Sequence, residues 1–234
     1  MTQLLQAIGL TKRFGGVVAT NDVSISIAPL EIKCIIGANG AGKSTLFNIL
    51  CGALAPDSGT VTFDGKSLLG LPLHQFARTG IARKFQMPSV FNSLTVAQNL
   101  ETACRGKIKD LRQRVDAMLE RIEQSHLRHD LAGNLAHGHK QWLEIGMALM
   151  SAPRLLLLDE PTAGMTPEET QKTADLIKEL ARDTAVMAIE HDMSFVRALA
   201  CHTYVMHQGT LIVEGRFADI EQNELVRDVY LGRA

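Results

Sequence analysis

Nine residues, GANGAGKST (37–45), carry the densest chemistry in the chain. Gly37, Gly40 and Gly42 let the backbone wrap a charged group, so that successive N–H groups and a following helix N-terminus point at an anion. Together with Ala38, Asn39, Ala41 and Thr45 they frame Lys43, whose ammonium would neutralise phosphate oxygens, and Ser44, whose hydroxyl would ligate Mg2+. The pattern G-x-x-x-x-G-K-[ST] has this meaning when a strand precedes it and a helix follows. Here EIKCIIG (31–37) reads as a buried strand, and 44–51 as a helix that Gly52 is placed to end. A bare glycine-rich turn would not assemble strand, lysine, hydroxyl and helix in that order.

Such a loop needs an acidic partner at the end of another buried strand, and RLLLLDE (154–160) supplies one. Asp159 would hold magnesium through water, and Glu160 would polarise an attacking water as general base. Adjacent carboxylates at a strand end often do no more than cap a helix in solvent; the phosphate loop favours the chemical role. His191 closes another apolar strand, TAVMAIEHD (184–192). Alone it reads as a cap beside Asp192, but ligands of parallel sheets sit outside the carboxyl ends of the strands, where an imidazole reaches a γ-phosphate. Gln86 is individually weak; at the edge of a helical region it would orient water and sense magnesium.

The elements that must position these groups alternate. Segments 3–10 and 22–28 read as early strands with Gly15-Gly16 turning between them, and GTVTFDG (59–65) as another strand. From Leu94 to Met150 the pattern is mostly helical, as in KIKDLRQRVDAMLERIEQ (107–124). A helix at 167–183 and a hairpin at 204–215, turning at Gln208-Gly209, complete the chain. Strands alternating with helices imply a parallel α/β core. The helical stretch of about 87–150 would be inserted between core segments of about 1–86 and 151–234.

Composition narrows the class. The 234 residues carry a formal net charge of −1, and no run of five basic residues argues for a nucleic-acid surface. The four cysteines show no C-x-x-C pairing, which suits a reducing compartment. No stretch approaches the roughly 18 apolar residues of a membrane span, and the N-terminus lacks a signal-peptide pattern. The expected location is the cytoplasm, with any membrane role depending on a partner.

These motifs in this order resemble the ATP-binding cassette of ABC transporters, over nearly the whole chain. The resemblance implies a P-loop NTPase (RecA-like) core with an antiparallel β subdomain and an inserted α-helical subdomain, binding ATP and Mg2+. In the family's terms GANGAGKST is the Walker A loop, and LLLLDE is Walker B with its catalytic glutamate, Glu160. Gln86 matches the Q-loop, His191 the switch histidine and AGMT (163–166) the D-loop. Phe14 stands where an aromatic stacks on adenine, and Leu135, Ala136, His137, Gly138 and His139 occupy the signature position. KRFGG, RKFQMPSVF (83–91), KQWLEIGMALM, EPTAGMTPEET and the terminal YLGR look like the branched-chain amino-acid uptake group, and within it most like the ATP-binding subunit of urea importers.

The family's mechanism implies a head-to-tail pair of cassettes, hetero- or homodimeric, sandwiching two ATP molecules. Each Walker A would be completed by the signature of the other chain, and closure would move two integral-membrane permeases at the cytoplasmic face, fed indirectly by a solute-binding protein. The resemblance points to Met87, Val90 and Phe91 as contacts with the permeases; the plainer alternative is that they pack the helical insert. A soluble P-loop enzyme such as a small-molecule kinase would place a substrate lid after the loop and lack a signature helix. A non-transport cassette acting on ribosomes or DNA would carry two cassettes, coiled coils or basic arms. His126, His129, His137 and His139 have weak metal spacing and no cysteine beside them.

Five positions depart from the family pattern. Ala38 replaces a frequent proline, Leu30 sits at a turn where glycine is common, and Thr166 replaces the D-loop aspartate. In the signature, Ala136 lacks the serine hydroxyl that donates to a γ-phosphate across the dimer, and His139 stands where glutamine is usual. The composite site using Ala136 is expected to hydrolyse ATP more slowly, and a protonated His139 would add a positive charge around neutral pH.

Overall fold

The computed structural model describes residues 3–76, 78–84, 89–104 and 109–231. In chain order the elements begin with strands β1 (Leu5–Phe14), β2 (Val17–Ile27) and β3 (Ile32–Gly37), followed by helix α1 (Lys43–Leu50). Next come β4 (Ser58–Phe63), β5 (Lys66–Ser67), α2 (Leu73–Phe76) and β6 (Ile81–Lys84). A helical stretch follows, with α3 (Val96–Ala103), α4 (Leu111–Arg121) and α5 (His137–Leu149). The chain then runs through β7 (Leu155–Asp159), α6 (Pro167–Leu180), β8 (Ala185–Glu190) and α7 (Met193–Leu199). It ends with β9 (His202–His207), β10 (Thr210–Arg216), α8 (Phe217–Ile220) and α9 (Glu224–Leu231).

Two sheets form. One is antiparallel, in the order β2-β1-β4-β5; the other runs β10-β9-β3-β8-β7-β6. In the larger sheet β9, β3, β8, β7 and β6 are mutually parallel, and β10 is antiparallel to β9. Side chains alternate across a strand, so each apolar strand feeds two cores. Leu155 and Leu157 of β7 join Phe47 of α1 and residues of the antiparallel sheet, whereas Leu156 and Leu158 face α5, α6 and α7. That is why RLLLLDE is apolar without interruption. A third core, around Leu100, Leu119 and Leu143, lies within the helical stretch. Helix α5 serves two of these cores, sending Trp142 and Ile145 to the large sheet and Leu143 to the helical layer.

Local signals account for the boundaries. Gly15 at φ 58° and Gly16 turn the chain so tightly that Phe14 pairs with Val17, which extends β1 and β2 beyond the segments expected from sequence. Thr166 is the N-cap of α6; it accepts from the Glu169 N–H while Glu169 accepts from the Thr166 N–H, with Pro167 in the first turn. Leu30 adopts φ 60°, the strained turn that its departure from glycine foretold. The helix expected over 107–124 is shorter, α4 starting at Leu111. Strands β5 and β6 and helices α2, α7, α8 and α9 were not expected from sequence. Among the described residues no helix is long and apolar enough to cross a membrane.

Candidate active site

The segment 37–45 leaves the carboxyl end of β3 and enters α1, with Gly42 as N-cap at φ 100°. It is pressed against two other elements. Gly209 N–H donates to Ala41 O at 3.0 Å, and Asn21 N–H to Gly209 O at 2.8 Å, which locks the loop to the β9–β10 turn and to β2. The approach leaves no room for side chains: a Cβ on Gly42 would lie 2.1 Å from Ala19 O, and one on Gly37 2.5 Å from Met206 O. Gly42 is therefore required by both conformation and space, and Gly37 by space alone. Lys43 is buried, and its Nζ donates to Gly37 O at 2.6 Å and Ala38 O at 3.1 Å, bridging the loop from beneath. Burial lowers its pKa, and the carboxylates of Glu160, Asp159 and Glu190 oppose that shift.

A cleft of about 620 Å³ opens over this loop, lined by Asn39 to Thr45, Val17 to Ala19, Glu160 and Gln208. The volume suits a nucleotide-sized ligand. Phe14 is half exposed at the end of β1, with the Lys12 ammonium 5.8 Å from its ring centre, while the adjoining wall of the cleft is made by Val17, Val18 and Ala19. Sequence does not place these residues at the cleft: 17–19 precede the strand expected at 22–28, and Gln208 reads only as a hairpin turn.

Asp159 ends β7 and is buried. Arg83 of β6 donates to its Oδ2 at 2.7 Å and to Asn48 Oδ1 on α1 at 2.6 Å. Glu160 follows in a left-handed conformation, φ 46°, its N–H bonded to Ile189 O at 3.0 Å. That geometry turns its side chain out of the sheet toward the cleft, where Oε1 lies 3.5 Å from His191 Nδ1. Beneath them Glu190, fully buried at the end of β8, accepts from Thr162 N–H at 3.1 Å, Thr162 Oγ1–H at 2.8 Å and His191 N–H at 3.1 Å. Burial raises its pKa, against the pull of those donors. Glu190 thus orients the chain on both sides of the Glu160–His191 pair. The sequence hid this role, because a glutamate before a histidine at a strand end looks solvated.

The hydroxyl of Ser44 and the carboxylate of Asp159 are hard oxygen donors of the kind magnesium takes, and the glycine cradle with Lys43 fits phosphate. Gln86 and Met87 lie outside the described residues. Val90 packs partly against the helical core, and Phe91 is exposed.

Residues 135–139 do not line the cleft. Ala136 is the N-cap of α5 with no side-chain cap, and Leu135 is buried in the helical core. His137 Nε2 lies 2.8 Å from Ala163 O and 3.2 Å from Gln141 Nε2, tying α5 to the loop after Glu160. Gly138 packs so closely that a Cβ would meet Glu169 Oε1 at 2.5 Å. The His139 ring stacks edge-on against Trp142 at 5.3 Å and His126 at 6.1 Å. Burial lowers its pKa, with His126 adding to the shift. The expectation of a protonated His139 around neutral pH is therefore corrected: its packing favours the neutral ring.

A family model described as "ABC transporter" matches residues 20–163. The chain is 38% identical over 255 residues to the high-affinity branched-chain amino acid transport ATP-binding protein LivG of Salmonella typhimurium, covering 100% of both chains. It is 35% identical to BraF, a protein of the same description from Pseudomonas aeruginosa, over 99% of this chain and 98% of the relative. The fold matches a crystal structure of the ADP conformation of an ATP-binding cassette of an ABC transporter, with TM-score 0.88, 30% identity and 100% of both chains covered. With the glycine cradle, the paired strand-end carboxylates and the interposed helices already in place, the chain belongs to the ABC transporter family, as one of its ATPase cassettes.

Proposed function

We propose that this chain powers an importer of the branched-chain amino-acid type, binding ATP with Mg2+ in the cleft over residues 37–45. The single observation that carries the reading is the convergence on that cleft of the glycine loop and Glu160, with His191 3.5 Å from the Glu160 carboxylate. In this reading the N–H groups of 39–45 and Lys43 hold the phosphates, and Ser44 and, through water, Asp159 hold Mg2+. The metal neutralises developing charge when bound. Glu160 takes a proton from the attacking water, His191 contacts the γ-phosphate, and Gln86 orients water and senses magnesium. Phe14, together with Val17, offers an apolar face to the base.

The chain would pair with a second cassette, Leu135 to His139 completing the partner's site, and would dock on two permeases at the cytoplasmic face of the membrane. We assign the core to about 1–86 and 151–234 and the helical subdomain to about 87–150. The names of LivG and BraF support a branched-chain amino acid as solute. A second reading, urea or a short amide, rests on the resemblance of KRFGG, RKFQMPSVF, KQWLEIGMALM, EPTAGMTPEET, YLGR and His137 to urea-importer subunits; it has less support.

The test is reconstitution of the chain with its permeases, partner cassette and binding protein in proteoliposomes. ATPase stimulation by leucine-loaded binding protein is expected, and stimulation by urea alone would select the second reading. A chain that hydrolyses ATP but associates with no permease would overturn the transport assignment.

A further inference from the structure

Strand β6 carries two consecutive cations, and strand alternation sends them to opposite faces of the sheet. Arg83 reaches Asp159 and α1 on one face. Lys84 lies on the other, its Nζ 3.8 Å from Glu144 Oε2 in the middle of α5. The same carboxylate accepts from Ser89 Oγ–H at 3.1 Å and from the Ser89 backbone N–H. Lys84 and Ser89 are the described residues on either side of the four that include Gln86. One carboxylate on the helix that begins at the signature therefore holds both flanks of that segment. The side chains of Lys84 and Glu144 are only 1% and 4% exposed.

Stability does not account for this arrangement. A buried ion pair gains little over apolar residues of similar volume, because desolvating two charges offsets their attraction. Through Arg83 and Lys84, adjacent residues of β6, the carboxylate of Asp159 is joined to Glu144 on α5. We propose that Glu144 is a positioning residue that transmits occupancy of the nucleotide cleft, by way of Lys84, Ser89 and β6, to α5 and so to residues 135–139. The proposal rests on the cleft being an ATP site.

The protein carries its own reporter. Trp142, the single tryptophan, sits on α5 with its Nε1–H donating to Thr173 Oγ1 on α6 at 2.8 Å. Its emission is expected to change when Mg2+ and a non-hydrolysable ATP analogue bind the purified chain. Calorimetry measures binding separately. Lys84→Met or Glu144→Leu alone strands a buried charge and is expected to lower Tm by about 10 °C. The double variant is expected to recover Tm and to bind the analogue within about threefold of the wild-type Kd, yet to lose the Trp142 response. If the double variant does not fold, Glu144→Gln removes the charge while keeping an oxygen for Ser89, and the response is expected to fall there too. A full wild-type response in the folded variant, or binding by the wild type without any response, would overturn the proposal. No calorimetric binding by the wild type would overturn the ATP-site reading, and this proposal with it.

Discussion

His191 Nδ1 stands 3.5 Å from Glu160 Oε1, with the histidine side chain 55% exposed and the glutamate 16%. The sheltered member is the one whose backbone is strained and pinned to β8, and the open member is free to meet a ligand. Under the proposed function, this asymmetry supports Glu160 as the base and His191 as the contact. Glu160→Gln is expected to cut ATP turnover by about 10²–10⁴-fold, the worth of a general base, while Mg-ATP affinity stays near wild type. Steady-state hydrolysis and calorimetry check the two halves; equal losses in both would remove Glu160 from the chemical step.

Gly42 and Gly40 separate space from conformation. Both have positive φ, but a Cβ on Gly42 meets Ala19 O at 2.1 Å, whereas one on Gly40 meets nothing within 4 Å. Gly40→Ala is expected to cost only the strain of its backbone, of order 1–3 kcal/mol. Gly42→Ala must also push β2 away from the loop, so Mg-ATP binding is expected to fall well beyond the Gly40→Ala loss. Nucleotide titrations on both variants, with Tm as control, decide it; the reverse order would mean that the cradle is not the binding surface.

Which features were legible depended on range. The phosphate loop, Walker B and the strand–helix alternation were readable because local spacing encodes them: GANGAGKST needs no distant partner to be recognised, and four leucines can only be a strand buried on both faces. Strand β6 was not readable, because its four residues end in Arg83 and Lys84, and cations at buried positions make sense only once Asp159 and Glu144 are seen facing them. Val17, Val18, Ala19 and Gln208 escaped for a related reason. Their place at the cleft follows from a β2–loop–hairpin contact in which Gly209 bonds residues more than 160 positions away in sequence, Ala41 and Asn21. In sequence His139 reads as a charge near phosphate if protonated; its edge-on contacts with Trp142 and His126 are not visible there.

The His139 environment has a consequence for stability against pH. Burial holds its folded pKa below the ordinary value of 6.5. The unfolded chain then binds more protons between that lowered value and 6.5, so stability rises with pH across the window. The contribution is present in full above about pH 6.5 and is lost as pH falls through the folded pKa. His139→Gln is expected to flatten the dependence of Tm on pH below about 6.5, leaving Tm at pH 8 little changed. An unchanged slope would show that the ring titrates normally.

Ala136 offers a test in which fold and function give different readouts. It occupies the N-cap of α5 with φ −59° and ψ 158°, a geometry that serine adopts readily, and no side chain caps the helix. In the isolated chain Ala136→Ser is expected to add a cap worth about 1 kcal/mol, raising Tm by about 2–4 °C. In the assembled transporter the same hydroxyl would also reach the phosphate bound by the partner cassette. A hydrogen bond to a charged group is worth about 1.5–3 kcal/mol, so turnover at that composite site should rise by about 10- to 100-fold. ATPase assays on the reconstituted pair, with the partner's own catalytic base intact or removed, separate the two sites. A higher Tm with unchanged turnover would confine residue 136 to capping and sink the idea that its missing hydroxyl slows the partner's site.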